Sequence, residues 1–243
     1  MATVSKLESP PTPARNDVWR MFDRIAHRYD LLNRVLSMRQ DVAWRKRLAT
    51  LLPEREDLRV LDLATGTGDV LLALRAGCPR VRSGVGMDMA RKMLELGTVK
   101  FEDKGQASAL QMVRGDATRI AAAHASFDVV TMSFGIRNVV DVGATLREMH
   151  RVLKPGGRVL ILEFSLPSNA LLRRAYLLYF RYLLPRIGGL VSGDSYAYRY
   201  LNQTVETFPY GEAFCAMMRD ANFSDVKMHS VTFGIATIYQ GDK

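Results

Sequence analysis

An α/β fold is what this sequence predicts: a doubly wound, mainly parallel sheet with an antiparallel C-terminal hairpin and an N-terminal helical cap. Three observations carry that expectation. Short apolar runs alternate with helix-length stretches between residues 58 and 165, as in strands joined by crossover helices. The run Val60-Leu61-Asp62-Leu63-Ala64-Thr65-Gly66-Thr67-Gly68-Asp69-Val70 passes from an apolar strand through two glycines into a helix start. Near the C-terminus, two further runs flank a short turn at Phe233-Gly234.

Taken in order, residues 17–52 read as helical, with Trp19, Phe22, Ala26 and Tyr29 on one face and Arg20, Arg24 and Arg28 on the next. This block precedes the sheet and is expected to lid its ligand end. Strands follow at 58–63, 81–88, 109–114, 127–134 and 157–165, with helices near 67–77, 90–101 and 142–153. The segment 166–204 is an insert after the fifth strand. A helix near 210–221 and strands at 225–232 and 235–240 then close the sheet edge. Residues 1–16, with Pro10, Pro11 and Pro13, read as a disordered tail. Residues 17–243 read as one domain without internal repeats.

Composition narrows the setting. Of 243 residues 48% are hydrophobic, ample for a core, and no run approaches the ~20 apolar residues of a spanning helix. Cys78 and Cys215 have no metal-type spacing, so free thiols in a reducing compartment and no metal are expected. The net charge of +9 is concentrated: residues 15–47 hold nine Arg or Lys against four Asp, and residues 173–199 hold five Arg against Asp194. Such segments suit RNA or anionic lipid. The stretch 171–184 favours the second. Drawn as a helix, its arginines take one arc and apolar or aromatic residues nearly all the rest, as at a membrane interface or, alternatively, in plain core burial or a homodimer contact. A cytoplasmic protein, peripheral on the inner face of the cell membrane and without a nucleic-acid partner, is the expectation.

The glycine turn carries the chemistry. Glycines let the backbone turn sharply and approach a ligand, and helix-start amides face whatever lies there. A nicotinamide fingerprint would need a third glycine where Leu71 stands, and a phosphate loop would need a Gly-Lys-Ser/Thr ending; both fail. Asp62, four residues before Gly66, suits a ligand bearing an ammonium group, as S-adenosyl-L-methionine does. Asp88 ends the next strand and is placed for a ribose diol. Arg114-Gly115-Asp116-Ala117 ends the third, where Asp116 and Ala117 would meet an adenine. Gly66, Thr67 and Gly68 would pack on the methionine and ribose, with Ser133 beside the methionine end.

These residues resemble the class I, Rossmann-like S-adenosylmethionine-dependent methyltransferases. Phe127–Phe134 is similar to that class's fourth strand and Leu153–Leu160 to its turn into the fifth. More specific are Phe22–Asp30, with Asn33, Ser37 and Trp44; Ser133-Phe134-Gly135-Ile136-Arg137-Asn138-Val139; Leu162-Glu163-Phe164-Ser165; and Tyr198-Arg199-Tyr200-Leu201 with Phe208-Pro209. Together they resemble the quinone-ring C-methyltransferases, which act on demethylmenaquinol and, in some members, the ubiquinol precursor. The resemblance runs from about residue 18 to the end. Two departures stand out: Met38-Arg39-Gln40-Asp41-Val42 replaces a glycine and a His-Arg pair, and Thr204 replaces a serine.

The resemblance implies methyl transfer to a prenylated quinol. An oxidised quinone is electron-poor and cannot attack a sulfonium methyl, whereas a quinol can once a hydroxyl is close to ionised. The site must then stabilise a phenolate and remove a ring proton. Arg137 is the first candidate for the phenolate, with a bracing pair to Glu163 or Asp141 as its rival role. Asn138 would hold the oxygen, and Tyr29, or a water held by Asp30, would relay the proton. His27 is a base by its ordinary pKa, its direction left open. Competing readings are an RNA or protein methyltransferase, a lipid-binding scaffold, and an enzyme of soluble phenols. The absence of an Asn-Pro-Pro-Tyr motif, the intact glycines with Asp88, and the apolar insert weigh against each in turn.

Overall fold

The structure is a computed structural model, and its described residues are 17–183 and 204–243. The expected tail, the Tyr198–Leu201 motif and the rest of the insert lie outside them. Seven strands form one sheet in the order β3-β2-β1-β4-β5-β7-β6: β1 (Leu58–Leu63), β2 (Val81–Asp88), β3 (Leu110–Arg114), β4 (Phe127–Ser133), β5 (Leu153–Phe164), β6 (Ser224–Val231) and β7 (Ala236–Asp242). The first five run parallel, and β7 lies antiparallel between β5 and β6. The expected hairpin is therefore present, turning at Thr232–Gly234.

β1 and β4 are buried almost throughout, as central parallel strands covered on both faces must be. Alternation divides their side chains between two cores. Leu61, Leu63, Val130, Met132 and Ile161 pack on one face with α5 (Val142–Val152) and a later helix, α7 (Glu212–Asp220). Val60, Val129, Leu160 and Ile238 pack on the other with α2 (Gln40–Ala49) and α3 (Asp69–Gly77).

Four boundaries correct the sequence reading. The expected 17–52 helix is two, α1 (Val18–Leu36) and α2, broken where Met38 and Arg39 take φ of +49° and +63°. α3 starts at Asp69 because Gly68, at φ +80°, supplies a left-handed entry. β5 begins at Leu153, which pairs with Phe127 before the register shifts around Pro155-Gly156-Gly157. In the insert, α6 (Ala170–Leu178) runs into a wider π turn at Tyr179–Leu183. The remaining helix, α4 (Arg91–Asp103), covers β2 and β3.

Candidate active site

A cavity of about 290 Å³ opens at the carboxyl ends of β1, β2 and β4, where ligands of open α/β sheets sit. α1 roofs it with Val18, Trp19, Phe22 and Tyr29, so the expected lid is present. Its floor includes Gly66, Asp88, Asp116, Ala117 and Ser133, five of the eight residues assigned to a cofactor from sequence. Gly66 adopts φ +56°, and a Cβ there would sit 3.5 Å from Tyr29 Cε1, narrowing the cavity.

With Asp116, Asp88 is one of two carboxylates in the cavity floor. Its Oδ2 accepts from Gly66 N at 2.9 Å and its Oδ1 from Ala90 N at 2.8 Å. Burial pushes its carboxyl above the usual range, and these backbone donors pull it back. With Met89 as a further backbone donor, the carboxylate keeps acceptor capacity for a ligand. Ser133 Oγ is buried and has no hydrogen-bond partner among the described residues, an open polar position in the wall. Asp116 Oδ1 accepts from the Thr118 amide and hydroxyl, both at 2.8 Å, which fixes the β3 loop.

Three of the assigned cofactor residues lie outside the cavity. Asp62 is fully buried behind the turn, each oxygen taking a 2.6 Å hydrogen bond from a hydroxyl, Thr65 and Thr131. Burial raises its pKa to about 7. It holds the turn here and does not line the cavity. Thr67 Oγ1 donates to Asp30 and accepts from Lys100. At Gly68 a Cβ would collide with Phe101 and Met112 at about 2.5 Å, so its smallness serves helix packing.

The catalytic assignments divide likewise. Tyr29 and Asn138 line the cavity. Burial pushes the Tyr29 hydroxyl up, partly offset by Asn33 and the Arg137 charge. Arg137 does not line it. Its Nη1 donates to Glu163 Oε1 at 2.6 Å and to the Phe134 carbonyl at 2.8 Å, and the guanidinium lies 5.4 Å from the Phe164 ring. The rival bracing role is therefore the one its contacts fit, with Glu163 as partner; Asp141 instead caps α5. Burial pushes the Glu163 carboxyl up, with Arg137 and backbone amides opposing. Arg137 Nε and Glu163 Oε2 have no partner among the described residues. Asn138 Nδ2 donates to the same Phe134 carbonyl at 3.3 Å, so that carbonyl, on a residue at φ +57°, ties the loop together.

Asp30 does not line the cavity. Its carboxylate accepts from Lys100 Nζ at 2.6 Å and from Thr67 at 2.7 Å, facing away from the cavity as part of a latch. Lys100 reaches Asp69 at 2.8 Å, Asp69 lies 3.4 Å from Arg45, and Arg45 pairs with Asp41. His27 is exposed and does not line the cavity. Sequence reasoning missed Lys100, whose partners Asp30 and Asp69 lie 70 and 31 positions away.

The cavity fits S-adenosylmethionine by its own features: a glycine at positive φ, a strand-tip carboxylate with spare acceptor capacity, and an unsatisfied serine hydroxyl. Comparison with known proteins agrees. The description of the ubiE/COQ5 methyltransferase family matches residues 12–243. The chain is 46% identical over 226 residues to the ubiquinone/menaquinone biosynthesis C-methyltransferase UbiE of Geotalea daltonii, covering 93% of this chain and 96% of that one. It is 45% identical over 223 residues to the demethylmenaquinone methyltransferase of Thermus thermophilus, covering 92% and 100%. Among solved structures, a SAM-dependent methyltransferase from Thermotoga maritima aligns with a TM-score of 0.65 at 20% identity, over 93% and 99% of the two chains. The [4+2]-cyclase SpnF aligns with a TM-score of 0.64 at 14% identity, over 97% and 99%. These last two bear on fold alone.

Proposed function

This chain belongs to the ubiE/COQ5 methyltransferase family and is a C-methyltransferase of the S-adenosylmethionine-dependent class, and we propose that it converts demethylmenaquinol to menaquinol at the cavity under α1. The observation that carries the placement is the convergence of Asp88, Ser133 Oγ and Tyr29 on one cavity at the strand tips.

Bound there, S-adenosylmethionine supplies a methyl group on a sulfonium. Asp88 would take the ribose hydroxyls on the acceptor capacity left by Gly66, Met89 and Ala90, and Ser133 would satisfy its hydroxyl on the methionine end. Asp116 and Ala117 would border the adenine. Trp19 and Phe22 exclude water, so alignment of the quinol carbon supplies part of the barrier reduction, of the order of several kcal/mol.

The reacting quinol carries developing negative charge on an oxygen. Tyr29, with its pKa raised by burial, stays protonated through neutral pH and donates to that oxygen. The Arg137 charge that eases ionisation of Tyr29 favours a phenolate placed against it. Arg137 thus acts as a positioning residue, holding the Phe134 carbonyl that in turn holds Asn138. Asp30 is engaged with Lys100 and Thr67, which leaves Tyr29 as the first candidate to pass on the released proton.

The decisive test is methyl transfer from labelled S-adenosylmethionine to chemically reduced demethylmenaquinone in detergent, beside the oxidised quinone. Methylation of the reduced form alone is the expected result. Transfer to neither, with cofactor bound tightly, would overturn the naphthoquinol assignment and turn attention to the benzoquinol precursor.

A further inference from the structure

Three separate segments bring exposed apolar side chains to one end of the molecule. Phe233 at the β6–β7 turn is 82% exposed, Leu171 on α6 80%, and Met38 between α1 and α2 71%. Leu31 and Val35, one turn apart on α1, and Leu178, two turns from Leu171 on α6, are also exposed. The segments adjoin. Thr232 Oγ1 donates to Gln40 Oε1 at 3.1 Å and accepts from Trp44 Nε1 at 2.7 Å, which ties the β6–β7 turn to α2. The Gly234 carbonyl accepts from Ser165 Oγ, beside the chain that enters α6. Leu32 of α1 packs with Tyr176 of α6. Scattered surface leucines are ordinary; large apolar side chains gathered from several elements are not.

The charge around them has one sign. Residues 31–40, 166–183 and 232–235 contain Arg34, Arg39, Arg173, Arg174 and Arg181 and no Asp or Glu. Arg181 is paired with Glu206, Arg34 lies 3.9 Å from Asp69, and Arg173 donates to the Tyr210 hydroxyl. Arg39 and Arg174 are exposed and form no ion pair among the described residues. Apolar side chains beside unpaired arginines are what the headgroup layer of an anionic bilayer takes up. No described helix is long and apolar enough to cross a membrane, so contact would be with the surface.

Behind the face lies an apolar path inward. Leu32, Tyr176, Leu166 and Ile235 pack with Phe164, whose ring centroid is 4.4 Å from that of Phe134. Phe134 lines the active-site cavity.

We propose that the face formed by the C-terminal half of α1, α6 and the Phe233 turn docks on an anionic lipid bilayer. This joins the interface expected from 171–184 to α1, within the basic segment 15–47, and to the Phe233 turn, which the sequence did not connect with it. The quinol reading gives the face a use, since a prenyl tail could pass between bilayer and cavity along Phe164, but docking itself needs no quinone and no turnover.

The test is flotation of the full chain with quinone-free vesicles of phosphatidylcholine, with and without phosphatidylglycerol. Three variants are compared: Met38→Ser with Phe233→Ser, Leu171→Ser with Leu178→Ser, and Arg39→Glu with Arg174→Glu. Thermal melting confirms that each is folded, and size-exclusion chromatography follows oligomeric state. The wild type should float only with the anionic vesicles, and each variant that melts like the wild type should bind roughly tenfold or more weakly. Transfer to a quinol lacking a prenyl tail should be unchanged in all three. No flotation, or equal flotation with both vesicle types, would overturn the proposal. So would a wild-type dimer that the apolar variants dissolve without any vesicle binding, which would assign the face to a second copy of the chain.

Discussion

Two ionic clusters flank the cavity under α1, and they are built oppositely. On the α1 side, Lys100 sits among Asp30, Asp69 and the Thr67 hydroxyl, and Asp69 leads on to Arg45 and Asp41. These groups are partly hydrated, and the ammonium has three acceptors. On the β4–β5 side, Arg137 and Glu163 are 6% and 1% exposed and hold one another, with Nε and Oε2 left unsatisfied. The first cluster joins four helices and is complete. The second fixes one loop and keeps polar capacity in reserve. A complete network signals architecture, whereas unsatisfied buried polar atoms beside a cavity signal a group awaiting work.

Breaking the second cluster should cost most. Glu163→Ala leaves a buried guanidinium unpaired and should lower stability by ~3–5 kcal/mol, read from the urea midpoint; a change under ~1 kcal/mol would make the pair no more than a surface bridge. Asp88→Ala tests the cavity that both clusters frame. It should weaken S-adenosylmethionine binding by ~1.5–3 kcal/mol, about 10- to 150-fold, by titration calorimetry, and unchanged affinity would undo the ribose assignment. Lys100→Met should cost ~1–2 kcal/mol, because a partly hydrated network shares its load, and should expose α1 to protease while cofactor affinity changes little. If cofactor affinity fell as far as in Asp88→Ala, the latch would be part of the binding site. The smallest effect belongs to Ser133→Ala. Removing an unsatisfied buried hydroxyl should leave the ligand-free protein as stable or slightly more so, while cofactor affinity drops by ~0.5–1.5 kcal/mol. A loss of stability with unchanged affinity would refute the contact.

Much of this was legible in the chain. The β1 glycine turn, the alternation of strands and helices, and the Phe233-Gly234 hairpin all rest on local pattern, and pattern is local information. That Asp88, Asp116 and Ser133 meet at one cavity was readable because two end strands and Asp116 follows one closely, and strand ends converge in this topology. The partners that Asp62, Thr67 and Asp30 take were not legible, because position along a strand does not say which way a side chain turns or who takes its lone pairs. Asp62 meets Thr131, 69 positions away, and Asp30 meets Lys100, 70 away. Arg137 was placed on the right loop and its alternative partner Glu163 was named, but only packing decides that its guanidinium turns from the cavity toward Phe164. The break at Met38-Arg39 was hidden by residues that do not advertise a left-handed backbone.

Asp62 gives the fold a proton inventory. Its carboxyl ionises near 3.8 in an open chain and at about 7 when folded, so between those values the native state carries the proton that the unfolded state has shed. Folding near pH 5.5 then takes up close to one proton at this side chain, and stability falls as pH rises toward 7. The heat of unfolding in that window should therefore depend on the ionisation enthalpy of the buffer, and should cease to do so for this group above about pH 8.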